Sequence, residues 1–520
     1  MSGTWVAPAD GTLGTSTSTS TSTGTGTGTG TSTGTGTGVP ADGSARVPWR
    51  AGPLLGAFAR VGVLTGADVH VAERLGVLTG EDDERVHLAA ALAVRAVRTG
   101  SVCVTLADAP GTVDVADPDD VHAWTVGAPV GTYGGGTSGG GTARATPDLL
   151  DTVAALPWPD LRAWTDAVRR SPMVADGPTG PADRPVRWVD GRVYLDRHWR
   201  DEQLVRHEVD ARLATPLPAD DDAVRRAVAA RFPRAGDDRQ RVAAATAAVS
   251  RLTVLTGGPG TGKTTTVARL VAVLRDVHGA DLRVALAAPT GKAAARLQEA
   301  VDAELTALAA GSGGAAPPPL HASTLHRLLG SRPGGGTRFR HDRTHRLPHD
   351  VVVVDEASMV SLPLLARLLE ALRPDARLVL VGDPDQLASV EVGAVLGDLV
   401  AREPAADALP ARLRAVLPAL AAAEDRDAIA PRAGVVRLTV PHRFGTQLGA
   451  LADAVRAGRA DDVVTLLRAG GEHVAFVETA AEAPSADELA DVRADEAATG
   501  LARAAAARAG DAAGAREALG

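Results

Sequence analysis

The chain has 520 residues, a formal net charge of −9 and a single cysteine, Cys103. That length holds roughly two to four domains, and one cysteine excludes a disulfide framework or a Cys-based metal centre. The negative balance excludes a general basic coat for nucleic acid, so any such contact must be a local groove.

Residues 12–38 are almost wholly Thr, Ser and Gly. Such a run cannot offset its ordering entropy by apolar burial, so residues 1–45 are expected to be a disordered tail. From about Val47 the texture turns globular. LLGAFARVGVL, DVHVAERLGVL and ERVHLAAALAVRAVRTG place apolar residues at helical spacing, which predicts a mostly helical module. Residues 101–107 (SVCVTLA) read as a strand and 127–142 as a flexible Gly/Thr insert. DLRAWTDAVRRSPMV, the strands VRWVDG and RVYLDRHW, and a helix over about 200–214 complete an N-terminal domain of residues 46–225. All seven tryptophans precede residue 200, where core packing is the expected role. No run has the length of uninterrupted apolar residues that spans a bilayer, and the N-terminus lacks a basic-then-apolar leader. The expected location is cytoplasmic, with no membrane contact.

From Pro233 the pattern alternates strand and helix. Strands are predicted at 252–256, 282–288, 351–355 and 378–382, short and rich in β-branched residues as strands buried on both faces should be. Helices at 264–278, 291–308 and 362–372 separate them, which implies a parallel α/β sheet over 226–430 with ligands at the carboxyl ends of its strands.

The first of these strands runs into GGPGTGKTTT. This is G-x-x-x-x-G-K-T over 257–264 in the strand–turn–helix setting that the motif requires. Gly258, Pro259, Gly260, Thr261 and Gly262 would turn their N–H groups inward, and the following helix would add its positive end, making a nest for phosphates. Lys263 would reach the β/γ-phosphates, Thr264 would hold Mg²⁺, and Thr265 follows on the helix. The chain has only two lysines, Lys263 and Lys292, among 54 basic residues. A compact ammonium suits the nest, whereas a planar guanidinium fork does not. VVVVDEAS ends another strand with Asp355 and Glu356. Asp355 would join the Mg²⁺ shell, and Glu356 would orient or deprotonate an attacking water. VGDPDQ places Asp383 and Gln386 after the next strand, where a polar side chain can sense a terminal phosphate.

GGPGTGKTTT, LAAPTGKAAARL, STLHRLLG, VVVVDEASMV and VGDPDQLASVEVGAVLGD run in this order between Gln240 and Arg443. They resemble the motifs of superfamily 1 DNA helicases, in the wording of the RecD family, the α subunit of the RecBCD exonuclease V complex. The resemblance implies a RecA-like P-loop motor domain, preceded by a mostly helical N-terminal domain and followed by an incomplete second RecA-like domain. It implies ATP with Mg²⁺, single-stranded DNA as track, movement 5′→3′, and RecB-like and RecC-like partner subunits. Gln240 would read adenine. Thr290, Lys292, Thr324 and His326 would grip single-stranded DNA, Gln386 would couple that grip to the nucleotide, and Arg443 would reach the γ-phosphate. VLTGADVHVAERL, SPMV and RVYLDRHWRDEQLV resemble the family's partner-docking domain.

His341, His345 and His349 are evenly spaced, but Pro348 interrupts any helix that would stack them, so a solvated loop is expected rather than a metal site. No cluster of carboxylates with a lysine resembles a nuclease, so nuclease activity is expected of a partner chain. The second RecA-like domain is expected over 431–520. VHKSQG-like and YTAVTRA-like stretches do not follow, and the expectation is a truncated motor that binds ATP with little DNA-stimulated hydrolysis. Two alternatives remain: a standalone RecD-like helicase, and an ATP-binding assembly subunit that does not translocate.

Overall fold

Short apolar runs of the right period set the two sheets of this chain. The computed structural model describes residues 51–112, 155–214, 217–234, 236–312, 320–331, 338–386, 392–393, 395–402, 409–418, 434–439 and 446–471, with isolated positions beyond. The tail over 1–45, the insert over 127–142 and Arg443 lie outside the described residues.

The N-terminal part packs the helices Pro53–Arg60, Gly66–Thr79, Glu84–Arg98 and Leu161–Arg170 beside a small sheet. Thr65 opens the second helix with a capping box: its hydroxyl accepts from the Asp68 N–H, and the Asp68 carboxylate accepts from the Thr65 N–H. Strands β1 (Cys103–Thr105), β2 (Val174–Asp176), β3 (Val186–Val189) and β4 (Arg192–Leu195) lie in the order β1-β4-β3-β2. Asp190 and Gly191 join β3 to β4 with φ of 48° and 83°. A two-residue turn with both φ positive matches the twist of an antiparallel pair, which is why Asp-Gly closes this hairpin. Val86, Leu88 and Leu92 of the Glu84–Arg98 helix bury against Phe58, Trp164 and Trp188. Trp164 is 1% exposed, and its Nε1–H donates to the Arg85 carbonyl at 2.7 Å. Three of the seven tryptophans, Trp164, Trp188 and Trp199, are buried in the packing role expected of them.

The larger sheet comprises β5 (Leu252–Gly257), β6 (Val284–Ala288), β7 (Ala322–Thr324), β8 (Val351–Val354), β9 (Arg377–Gly382) and β10 (Val435–Leu438). Their order is β10-β5-β9-β8-β6-β7, and every pairing is parallel. Alternate residues serve opposite faces, as the strand period of two requires. Leu255, Val353, Val379 and Val381 pack with Val267, Val271 and Leu274 of the Lys263–His278 helix. Val254, Val352, Val354, Leu378 and Leu380 pack with Leu365 and Leu369 of the Leu362–Ala371 helix. The four anticipated strands and three anticipated helices are present, with ends shifted by four residues at most.

Two contacts run across the expected domain limits. β10, within the stretch expected to form a second domain from 431, pairs its Val435–Leu438 with Val254–Gly257 of β5 and is an edge strand of this same sheet. The helix predicted from about residue 200 begins at Asp196 and runs to Leu213. It buries Val205 and Val209 against the large sheet's core, and Asp201 pairs with Arg367 at 2.6 Å. This helix therefore also packs on the large sheet. The histidine loop has no group of three metal-ligating side chains among the described residues, and His341 and His345 stack at 5.0 Å. No helix among the described residues is long and apolar enough to cross a membrane.

Replacing Trp164 with Ala removes a fully buried ring and its bond to the Arg85 carbonyl. Denaturant unfolding should show a loss of about 3–5 kcal/mol, the usual cost of deleting a buried aromatic side chain.

Candidate functional site

Parallel pairing forces the carboxyl ends of all six strands to one edge of the sheet, and the sequence motifs follow those ends. β5 leads into the loop 258–262, then into the Lys263–His278 helix. Gly260 and Gly262 have φ of 73° and 81°, a left-handed backbone that curls the loop. Thr261 is 4% exposed, and its hydroxyl donates to the Gly258 carbonyl at 2.9 Å. Thr266 donates to the Gly262 carbonyl at 2.8 Å, tying the first helical turn to the loop. The Lys263 ammonium donates to the carbonyls of Gly257 at 2.6 Å and Gly258 at 3.0 Å, folding back along the loop that it serves. Thr264 and Thr265 sit on the opening turn, Thr264 partly buried and Thr265 exposed.

β9 lies beside β5 and β8 beside β9, so the carboxylate motifs leave neighbouring strands. Asp355 follows β8, and its N–H donates to the Ala287 carbonyl at 2.9 Å. Burial pushes the Asp355 carboxyl up to about 6, with the Glu356 charge adding to the rise. The Glu356 N–H, donating to Asp355 Oδ1 at 2.9 Å, and the positive charge of Lys263 oppose it. Glu356 has φ 52°, a left-handed conformation in a residue with a side chain, and it opens the short 3₁₀ turn Ala357–Met359. That conformation is costly for a residue with a side chain. Asp383, 4% exposed, accepts from the Asp385 N–H at 3.1 Å, and its carbonyl accepts from the Gln386 N–H at 3.2 Å. This turn leaves Asp385 and Gln386 exposed at the edge.

Farther along the edge, Thr290 follows β6 and Thr324 ends β7. Each hydroxyl accepts a backbone N–H at 3.2 Å, from Ala293 and Arg327 respectively, so both threonines cap helices. Lys292 and His326 are exposed, and the His326 ring lies 5.9 Å from Phe339. Gln240 is in the first turn of the Asp238–Val249 helix, where neighbouring Arg239 donates to the Arg437 carbonyl of β10 at 2.8 Å. The structure therefore gathers Lys263, Thr264, Asp355, Glu356 and Gln386 at one half of the edge. It sets Thr290, Lys292, Thr324 and His326 along the other half.

The site fits a magnesium nucleotide on its own chemistry. Curled loop glycines and a helix N-terminus suit phosphate, and a hydroxyl with a carboxylate are the oxygen donors magnesium takes. Sequence spacing did not reveal Asp385, which pairs with Arg437 at 3.1 Å and Arg456 at 2.9 Å. Those partners lie far along the chain, and no local pattern announces them.

A parallel sheet carrying a P-loop and an acidic pair at its carboxyl edge defines a P-loop nucleotide-binding domain. Residues 240–392 match an AAA domain, and residues 60–194 match the RecBCD enzyme subunit RecD, N-terminal domain. The chain is 46% identical over 434 residues to the RecBCD enzyme subunit RecD of Mycolicibacterium smegmatis, covering 82% of this chain and 63% of that protein. Identity to its Mycobacterium tuberculosis namesake is 46% over 441 residues, with 84% and 63% covered. An ATP-dependent RecD2 DNA helicase of Deinococcus radiodurans is 41% identical over 208 residues, with 39% and 25% covered. The chain is thus similar to RecD subunits of RecBCD enzymes, and it spans 63% of the length of the mycobacterial relatives.

Two measurements test this geometry. Because folding raises the Asp355 carboxyl from 3.8 to about 6, folding favours its protonated form. Its contribution to stability is full below about pH 4 and is lost as pH rises through about 6. Asp355→Asn should therefore raise the melting temperature at pH 8 but not at pH 4, measured without nucleotide or divalent cation. Glu356→Gly relieves a positive φ and should stabilise the fold by up to about 1 kcal/mol in denaturant titrations, even though it removes a candidate catalytic carboxylate.

Proposed function

We propose that this chain is the ATP-hydrolysing helicase subunit of a RecBCD-like helicase/nuclease, moving 5′→3′ on single-stranded DNA during double-strand break repair. The observation that carries this reading is the single edge on which the P-loop, Asp355–Glu356 and Gln386 adjoin Thr290, Lys292, Thr324 and His326. Relatives that bear the name RecBCD enzyme subunit RecD support RecB-like and RecC-like partners. The match of residues 60–194 to the N-terminal domain of that subunit favours a docked subunit over a standalone helicase. Nuclease activity then belongs to a partner chain.

In this reading Lys263 releases the two loop carbonyls and turns its ammonium to the β/γ-phosphates. The loop N–H groups from Gly258 to Gly262 hold the phosphate oxygens, and Gln240 reads adenine. Thr264 and Asp355 hold Mg²⁺, which when bound neutralises charge on the phosphates. Glu356 orients a water and takes its proton. Gln386 carries the presence of the terminal phosphate toward the DNA-facing half, and Arg443 supplies positive charge to that terminal phosphate.

Lys263→Ala is the decisive substitution. Titration with MgATP should show affinity reduced by roughly 10²-fold or more, since a charged phosphate partner is lost from a partly enclosed nest. Far-ultraviolet circular dichroism should not change, because Lys263 bonds only to loop carbonyls. Unchanged nucleotide affinity in the folded variant would overturn the P-loop assignment and the helicase reading with it.

A further inference from the structure

The Thr446–Arg456 helix ends in a side chain that reaches the P-loop. Arg456 Nε lies 2.9 Å from Asp385 Oδ2, and its Nη1 donates to Asp453 at 2.6 Å. Its Nη2 is the nearest heavy atom to the place where a Cβ on Gly258 would stand, 3.7 Å away. Arg437 of β10 brings a second guanidinium to the same Asp385 oxygen at 3.1 Å. One carboxylate on the turn that presents Gln386 thus holds two arginines, one of them against the loop that cradles phosphate.

These groups are poorly shielded: the side chains of Arg456 and Asp385 are 37% and 38% exposed, and that of Arg437 is 48% exposed. Solvent screening makes such a pair weak, commonly near zero in net worth. A triphosphate is a stronger competitor. It carries several negative charges, and its oxygens match the guanidinium fork in two-pronged contacts that a shared carboxylate cannot better. The P-loop also delivers the phosphates to the spot that Arg456 already overlooks.

We propose that Arg456 is a further phosphate-binding residue of this site, held ready at Gly258 by Asp385 and taken over by the nucleotide's terminal phosphates. The takeover frees Asp385, and nucleotide occupancy reaches both the Gln386 turn and the Thr446–Arg456 helix through one exchanged ion pair. This inference rests on the P-loop reading above. Asp385 acts here through Arg456 and is a positioning residue.

The experiment is a set of MgATP and MgADP titrations on the full chain, with Arg456→Ala, Asp385→Asn, the double variant and Lys263→Ala, each checked by thermal melting. Arg456→Ala should weaken MgATP binding about tenfold, the worth of one charge-assisted hydrogen bond, and MgADP binding less. Asp385→Asn should tighten MgATP binding several-fold by removing the competitor, and the double variant should match Arg456→Ala alone, because without the arginine there is nothing for Asp385 to withhold. Arg456→Lys should recover part of the loss, keeping the charge without the fork. MgATP affinity equal in wild type and Arg456→Ala, or additive effects in the double variant, would overturn the proposal. Should Lys263→Ala also bind normally, the failure lies in the P-loop reading instead.

Discussion

Gly257 is the point on which the site turns. A Cβ there would stand 2.6 Å from Thr261 Oγ1, 2.9 Å from the Leu438 carbonyl and 3.1 Å from Leu438 Cβ. Two of those contacts belong to β10 and one to the phosphate loop, so the bare backbone of Gly257 lets strand and loop close together. Any side chain would force β10 away or unseat Thr261, whose hydroxyl braces the Gly258 carbonyl. The curl of the loop, the station of Lys263 and the edge of the sheet are therefore one packing problem, and the absence of a methyl group solves it.

Electrostatics at the edge follow from the same closeness. Burial beside the strand ends makes an unaccompanied Asp355 carboxylate costly, and the charges on Lys263 and Glu356 pull in opposite directions on it. The carboxyl group is therefore held in an environment that disfavours its charge, as perturbed groups in candidate functional sites often are. Glu356 beside it holds a backbone φ of 52°, a strained conformation for a residue with a side chain, and such strain clusters at functional sites.

What could be read beforehand depended on whether the cause was local. β-Branched runs between helices of regular period announced β5, β6, β8 and β9, and the glycine pattern announced the phosphate loop. β7 has three residues and β10 lies far along the chain from its partner, so neither has a signature of its own. Parallel pairing between residues so distant leaves no trace in composition. Thr290 and Thr324 stood out only through the family resemblance, and their hydroxyls cap helices. That duty accounts for threonine at these positions with or without DNA. The bonds of Asp385 to Arg437 and Arg456 are legible only once the sheet has brought the three together.

The N-terminal part and the large sheet are fastened at two places. Leu362, the first residue of the Leu362–Ala371 helix, donates its N–H to the Val392 carbonyl at 2.9 Å, and the next residue, Gly393, donates to the Gly100 carbonyl at 3.1 Å. Gly100 ends the turn that enters β1, and Val102 beside it approaches Gly393. Val392 and Gly393 thus bond on one side to the Leu362–Ala371 helix and on the other to the N-terminal part. A second fastening, Arg367 with Asp201, joins that same helix to the Asp196–Leu213 helix. The N-terminal part is therefore tied to the large sheet by backbone and ion pair alike, and both ties converge on one helix, a convergence that distance along the chain conceals.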